Sequence, residues 1–352
     1  MTDAVIVSTA RAPIGRAGRG ALNNLDGADL GAIVVRQALA QAGVEADAVT
    51  DVLLGAARLE GPEGNNVARA AALRAGLPTG VAGMSLDRKC ASGLQAIALA
   101  AQRIIAGEDG IYVAGGLDSC SLALPGTRSD RLVNPWLKTN VADLYAPMIA
   151  TAENVARRYG ITREAQDAYA LQSQQRVAAA QREGRLDTEI IPVTTTRLIK
   201  DRAGAVIGDE PTTLLVDEGN RPDTSVDALA ALHPVTGEDG TVTAGNSSQL
   251  SDGASVCVVM SASEAARRRL EPLGIFRGFA IVGCNPGEMG IGPVFAVPRL
   301  LVRHGLTVAD IGLWELNEAF AVQVYIAAIG LVSILPGSMS MVGRSQSGTR
   351  SG

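Results

Sequence analysis

Lysine is almost missing from this 352-residue chain: Lys89, Lys138 and Lys200 are the only three among 31 basic residues, and the rest are arginine. Together with abundant alanine, glycine and valine, that bias suggests a GC-rich gene. Aromatic residues make up only 3% of the chain, so large rings cannot anchor its core, and the 40 glycines point instead to close backbone packing. Cysteine is sparse. Cys90, Cys120, Cys257 and Cys284 form no CxxC pair and no cluster with His233 or His304, which argues against a zinc module or a secreted disulfide framework. Positive charge is not in excess either. The net charge of −5 argues against binding to the phosphate backbone of nucleic acids. No basic leader with a small-residue cleavage site precedes the strand-like run 4–10. The apolar stretch 319–335 lies at the lower limit for a bilayer span and reads as a buried helix. These absences predict a cytoplasmic protein with reduced thiols, no metal, and no membrane or nucleic-acid partner. What is present is a 47% apolar composition, enough for a large core.

Strand and helix signals alternate along the first part of the chain. Residues 4–10, 49–55 and 110–116 read as strands. Residues 30–42, 67–75 and 92–106 read as helices, the first of them stopped by Gly43. Such alternation predicts parallel strands covered by helices. A second region repeats the pattern, with strands expected at 275–282 and 311–316 and a helix at 297–304. One fixed offset relates the two regions: Gly43 falls on Gly305, Val44 on Leu306, Val49 on Ile311 and Leu54 on Leu316, which predicts a duplicated α/β unit. The charged, proline-containing stretch between them, with a helix expected at 163–185, reads as an inserted cap. The resulting division is a first half over 1–118 completed by about 242–272, an inserted loop domain over 119–241, an incomplete second half over 273–336, and a Gly/Ser-rich tail over 337–352.

Three stretches have the makings of chemistry. Asp87-Arg88-Lys89-Cys90-Ala91-Ser92-Gly93-Leu94 puts a cysteine at a helix start, where unpaired N–H groups, the helix dipole and two basic neighbours favour a thiolate. Cys90 is therefore either a nucleophile that forms a thioester or a structural cysteine. Asn317, in Leu316-Asn317-Glu318-Ala319-Phe320, is expected between a strand and a helix. There its amide would hold a water or an oxyanion, or would simply cap the helix. The small polar loop 240–253 is suited to close approach by a pantetheine or phosphate tail, or is a tight turn. Gly15-Arg16-Ala17-Gly18-Arg19-Gly20 has the wrong spacing for a dinucleotide fingerprint and no following ribose carboxylate, which sets aside a Rossmann oxidoreductase.

In order along the chain, Ser8-Thr-Ala-Arg-Ala-Pro-Ile-Gly15, Gly64-Asn-Asn-Val-Ala-Arg69, 87–94, Gly115-Gly-Leu-Asp-Ser119, Thr151-Ala-Glu-Asn154, 240–253, Met289-Gly-Ile-Gly-Pro293 and 317–320 resemble the motifs of the thiolases. These coenzyme A-dependent enzymes make or cleave β-ketoacyl thioesters. The resemblance extends to about Leu331. It implies a five-layered α/β/α/β/α fold of two α/β units, with Cys90 as the acylated nucleophile and Asn317 positioning an oxyanion-hole water. It implies that Arg221 and Ser248 contact coenzyme A, and that Met148, Met289 and Phe320 line the acyl and pantetheine pocket. Coenzyme A and acyl-CoA would be substrates, with no permanently bound cofactor, and the protein would be a homodimer or homotetramer. Pro147-Met148 stands where many relatives have His-Met, and Cys120, where the motif continues Ser-Met, reads as structural.

The chain departs from the family at its end. A Gly-His-Pro histidine that activates the nucleophile and a second cysteine in a Cys-x-Gly turn are both absent from the sequence. Suitable codons for residues 337–352, read two nucleotides later, spell Val-Asp-Val-Asn-Gly-Gly-Ala-Ile-Ser-Val-Gly-His-Pro-Phe-Gly. The tail is therefore expected to be the product of a frameshift, and the gene sequence around codons 331–352 tests this. Two functions follow: an impaired thiolase acting through Cys90, or a thiolase-like module that binds coenzyme A thioesters without turnover.

Overall fold

The computed structural model describes residues 2–125, 127 and 131–332, with side chains to residue 330. In chain order the elements are β1 (Ala4–Arg11), β2 (Gly15–Arg16), α1 (Gly27–Ala42), β3 (Asp51–Gly55), α2 (Val67–Arg74), β4 (Ala82–Leu86), α3 (Ser92–Ile105) and β5 (Tyr112–Ser119). There follow α4 (Cys120–Ala123), α5 (Pro135–Asn140), α6 (Met148–Tyr159), α7 (Arg163–Arg182), β6 (Val193–Lys200), β7 (Val206–Leu214) and α8 (Val226–Ala230). The remainder is β8 (Ser251–Ser261), α9 (Ala262–Arg268), β9 (Gly274–Ile275), α10 (Gly292–His304) and α11 (Ala321–Val332). The expected tail over 337–352 lies outside the described residues. The described residues form two compact units: one within 2–127, 176–221 and 249–278, the other within 131–175, 222–248 and 279–332.

The first unit is built on a seven-stranded sheet in the order β4-β3-β5-β8-β1-β9, with β2 paired to β8. β3, β5 and β8 alternate between two cores, whereas in β1 a bulge between Ile6 and Ser8 shifts the phase, so that Val5, Val7 and Ala10 share one core. Val52, Leu54, Val113, Leu117, Val256, Val258 and Met260 face the apolar cluster that includes Leu30, Val34, Val35 and Ala71 of α1 and α2. Leu53, Tyr112, Ala114, Cys257 and Val259 face the cluster of α3, around Ala96, Ala100 and Ile104. Period-two alternation with both sets apolar is what a strand covered on both faces requires. The expected parallel pairing holds for β4-β3-β5 only. β8, which arrives from far along the sequence, runs antiparallel to both β5 and β1, so the sheet is mixed. α1 is bounded as its sequence suggests: Asp26 accepts from Ala28 N at 2.8 Å, and Gly43 closes the helix at φ 57°. β6 and β7 form a separate antiparallel hairpin.

The second unit is helical among its described residues. Ala152, Val155, Ala156, Ile161, Val242, Ile291, Phe320, Val322 and Ile326 form its core. Here the repeat shows in part. α10 ends at Gly305 with φ 64°, as α1 ends at Gly43, and the 3₁₀ turn Ala46–Ala48 recurs at Val308–Asp310 with the same offset. The two strands expected next to them do not form. Of the first, only the start is paired, where Gly274–Ile275 joins β1 in the sheet of the first unit, and 311–316 has no strand. Apolar alternation makes a strand only where a neighbour takes up its N–H and C=O groups, and no such ladder partner lies beside these segments among the described residues. Leu313 is 78% exposed. Of the 319–335 stretch, Ala321–Val332 is α11 and residues 333–335 lie outside the described residues; no described helix is long and apolar enough to cross a membrane.

Candidate active site

β4 delivers the chain to the end of the sheet where β3 and β5 also finish, and residues 87–91 turn it into α3. This is the edge at which open α/β sheets place their ligands. The turn is fixed from within. Asp87 Oδ1 accepts from Lys89 N at 2.6 Å, while the buried Ser92 hydroxyl accepts from Arg88 N at 2.7 Å and donates to Lys89 O at 2.6 Å. Lys89 adopts φ 50°, a left-handed conformation that a side-chain-bearing residue keeps only where its surroundings enforce it. Cys90 follows it and is exposed, two residues before the first residue of α3. The expected positive surroundings are only partly present, because the Lys89 ammonium is paired with Asp87 at 2.5 Å.

Glycines bring α3 against the strands. A Cβ on Gly55 would lie 2.2 Å from the Ser92 carbonyl carbon, and one on Gly116 2.9 Å from Gly55 O. One on Gly93 would meet Gly116 N at 3.3 Å. Gly55→Ala is therefore expected to lower stability by about 1–3 kcal/mol, the usual cost of overpacking, and to displace the cysteine turn. Gly93→Ala, whose contact is only tight, is expected to cost less. Urea unfolding of the two variants checks the order; a Gly55→Ala protein as stable as wild type contradicts the close-approach argument.

The other three cysteines sit where the neutral thiol is favoured. Burial pushes Cys257 up to about 12 and Cys120, beside Asp118, up to about 11. Burial and Glu288 also raise Cys284, which lies outside any strand. Sequence reasoning missed the buried acids of this unit. Glu63 is wholly buried, accepts from Ser119 N, and is raised to about 8, chiefly by loss of water. Asp252 accepts from Ser121 N at 2.8 Å and Ser121 Oγ at 2.5 Å. Nothing in a Gly-Pro-Glu-Gly loop announces a buried carboxyl.

Of the site residues expected from sequence, Cys90 and Arg221 belong to the first unit, and Met148, Ser248, Met289, Asn317 and Phe320 to the second. Within the second unit several of these meet. Ser248 N donates to Ala319 O at 2.9 Å, Ser247 bridges to Phe320, and Ala321 N donates to Asn246 O at 2.9 Å. The polar loop is thereby fastened to the 317–320 segment. Asn246, itself buried, donates to Asp167 Oδ1 at 2.9 Å, and Glu153 accepts from Thr241 N and Val242 N at 2.7 Å each. Met289 and Phe320 line a cavity of about 10 Å³ with Thr151, Ala152 and Val155, room for one water at most. Met148 begins α6 one turn before Ala152 and is 42% exposed. Asn317 is exposed and lies four residues before α11, so it neither follows a strand nor caps that helix. Its neighbour Glu318 accepts from Tyr169 Oη at 2.5 Å and Ser173 Oγ at 2.6 Å. His233 is exposed, and exposed His304 is the last residue of α10.

Residues 4–263 match the family model of the thiolase N-terminal domain, and residues 270–343 that of the thiolase C-terminal domain. A 3-ketoacyl-CoA thiolase of Bacillus subtilis is 44% identical over 325 residues, which are 92% of this chain and 82% of that protein. An acetyl-CoA acetyltransferase of Cupriavidus necator is 43% identical, with the same coverage of each. The crystal structure of the Bacillus anthracis acetyl-CoA acetyltransferase superimposes with a TM-score of 0.83 at 36% identity, covering 94% of this chain and 84% of that one.

Proposed function

This chain belongs to the thiolase family and has the thiolase α/β fold, and we propose that it forms its acyl-enzyme on Cys90. It is an acyl-CoA acyltransferase of the thiolase type. The observation that carries the proposal is the exposed sulfur on a braced turn two residues before the first residue of α3, at the end of the sheet where β3, β4 and β5 finish. In synthesis the Cys90 thiolate attacks the carbonyl of an acyl-CoA, the C–S bond to coenzyme A breaks, coenzyme A leaves as the thiol after taking up a proton, and the acyl group passes to a second acyl-CoA that has lost its α-proton. In cleavage the thiolate attacks the β-carbonyl of a β-ketoacyl-CoA, the Cα–Cβ bond breaks, the acetyl-CoA enolate takes up a proton and leaves, and the acyl group passes to a coenzyme A thiol. Asn317 holds the water that stabilises the oxyanion. Arg221 and Ser248 contact coenzyme A, and Met148, Met289 and Phe320 border the pantetheine and acyl groups. The working form is a cytoplasmic homodimer or homotetramer, its first half completed by residues 242–272.

The sequence contains neither Gly-His-Pro nor Cys-x-Gly, so no residue matches the family's base or its proton-moving thiol. Loss of such a group costs about 10²–10⁴ in rate. The expected behaviour is slow acylation of Cys90 with turnover reduced by at least that factor, or, in the second reading that the missing motifs support, coenzyme A thioester binding alone. Incubation with acetoacetyl-CoA and coenzyme A, followed by mass analysis of Cys90 and product, separates the readings. Turnover like that of the C. necator relative sinks the impairment; an unmodified Cys90 with tight thioester binding sinks the acyl-enzyme.

A further inference from the structure

The glycine-rich turn that fails as a dinucleotide fingerprint frames a different pocket. Arg16, Arg19, Gly20, Arg197 and Glu218, all of the first unit, line a depression of about 470 Å³. The three arginines come from β2, the turn after it and β6. The frame under them is partly buried and hydrogen-bonded together. Asn23, wholly buried, donates to Gly18 O at 3.2 Å and to Leu198 O at 2.9 Å, and accepts from Leu198 N at 2.8 Å. One amide thus locks the turn that carries Arg19 to the strand that carries Arg197. Gly18 N donates to Ser121 Oγ at 2.6 Å, and Gly18 has φ +78°.

The balance of charge favours an anion. Glu218 is the one carboxylate in the lining, and its two oxygens accept from Arg16 N at 2.8 Å and Ala21 N at 3.0 Å, so backbone dipoles already offset its charge. Gly20 is required for this, because a Cβ there would lie 2.1 Å from Glu218 Oε2. Arg197 has a loose ion pair with Glu210 at 3.6 Å, and its Nε, withdrawn from water, has no hydrogen-bond partner among the described residues. Arg16 reaches one acceptor, Asn220 O, at 3.4 Å. Planar guanidinium groups with donors to spare are matched by a tetrahedral oxyanion that can accept several of them at once.

The geometry points to a phosphate-binding site formed by Arg16, Arg19 and Arg197. Its ligand is a phosphate dianion, the chemistry shared by free inorganic phosphate and by the 3′-phosphate monoester of coenzyme A. The coenzyme source rests on the acyl-CoA reading above; the free-phosphate source does not.

Calorimetric titration of the full chain at low salt with inorganic phosphate, coenzyme A and dephospho-coenzyme A tests the site. Losing charge-assisted hydrogen bonds worth roughly 1.5–3 kcal/mol weakens binding by about tenfold or more. Arg19→Gln/Arg197→Gln is expected to weaken phosphate by that factor, with Arg19→Lys intermediate. A wild-type preference for coenzyme A over dephospho-coenzyme A that vanishes in the double variant makes the coenzyme the source. Equal binding of those two, with phosphate still weakened, makes it free phosphate. Unchanged affinity for all three ligands in a double variant that melts like wild type overturns the site. If the double variant unfolds, the comparison rests on Arg19→Gln alone, since Arg19 is exposed at the rim. Acylation of Cys90 is read separately by mass, so its failure counts against the acyl-enzyme and not against this pocket.

Discussion

Cys90→Ala is expected to abolish acyl-enzyme formation, with no acetyl adduct on any cysteine after incubation with acetyl-CoA. Removing a nucleophile commonly costs a factor of roughly 10⁴ or more, and no second thiol in this chain is placed to compensate. Cys257, near 12, lies in the sheet core, where its Sγ contacts Ala114 O at 3.4 Å, and Cys120 is held near 11. At neutral pH a thiol at 11 is ionised in only about one molecule in ten thousand. Cys284, raised by burial and by Glu288, is likewise biased toward the unreactive thiol. Cys90→Ser keeps the size of the side chain but replaces the sulfur with a hydroxyl that ionises far less readily, so it is expected to behave like the alanine variant. Peptide mapping of the acetylated protein reads the result directly. One adduct in the peptide carrying Cys90, lost in both variants and kept in Cys120→Ala, is the expected pattern. An adduct that persists in Cys90→Ala removes the nucleophile from its assigned place.

Most of the frame that presents this cysteine could be read from local pattern. The buried run of β1, the capped and glycine-stopped α1, and the α3 that begins just after Cys90 each follow from periodicity and end signals within a dozen or so neighbouring residues. What the sequence could not show depends on residues far away. β8 enters the sheet between β5 and β1 and reverses its direction, a pairing across more than a hundred residues that no local pattern encodes. The segments 276–282 and 311–316 have strand composition without strand partners. Asn317 reads as a residue between a strand and a helix; the helix forms as α11, beginning four residues later, but the strand does not, because hydrophobic spacing reports what a segment can do while its ladder partner decides what it does. The resemblance to thiolases supplied the roles of Asn317, Arg221, Ser248, Met148, Met289 and Phe320, which residue chemistry alone left open. The buried acids were out of reach of either approach, since a glutamate's burial is a property of what closes over it.

That burial makes Glu63 the source of a specific pH dependence. The carboxyl is wholly enclosed, it accepts from Ser119 N, and its other oxygen is buried without a partner among the described residues. The charged groups that act on it most strongly are acidic: Asp118 on β5, Asp252 on β8 and Asp26 ahead of α1. Loss of water first, and these three carboxylates next, raise it from 4.5 to about 8, against the lowering effect of the Ser119 N–H. Between those two values the folded protein therefore binds more protons at this site than the unfolded chain does. Where the native state binds the extra proton, stability falls as pH rises. The contribution is fully present below about 4.5, declines through neutrality and is lost above about 8, with a slope of up to about 1.4 kcal/mol per pH unit. Glu63→Gln retains an acceptor for Ser119 N and cannot ionise. The difference in unfolding free energy between the Glu63→Gln variant and the wild-type protein is thus expected to be small near pH 5 and to grow in favour of the variant up to pH 8, by a few kcal/mol. Urea titrations at half-unit pH steps measure it. A difference that stays flat across this range means that Glu63 is ionised in the folded protein, and that the enclosure seen around it opens to water in solution.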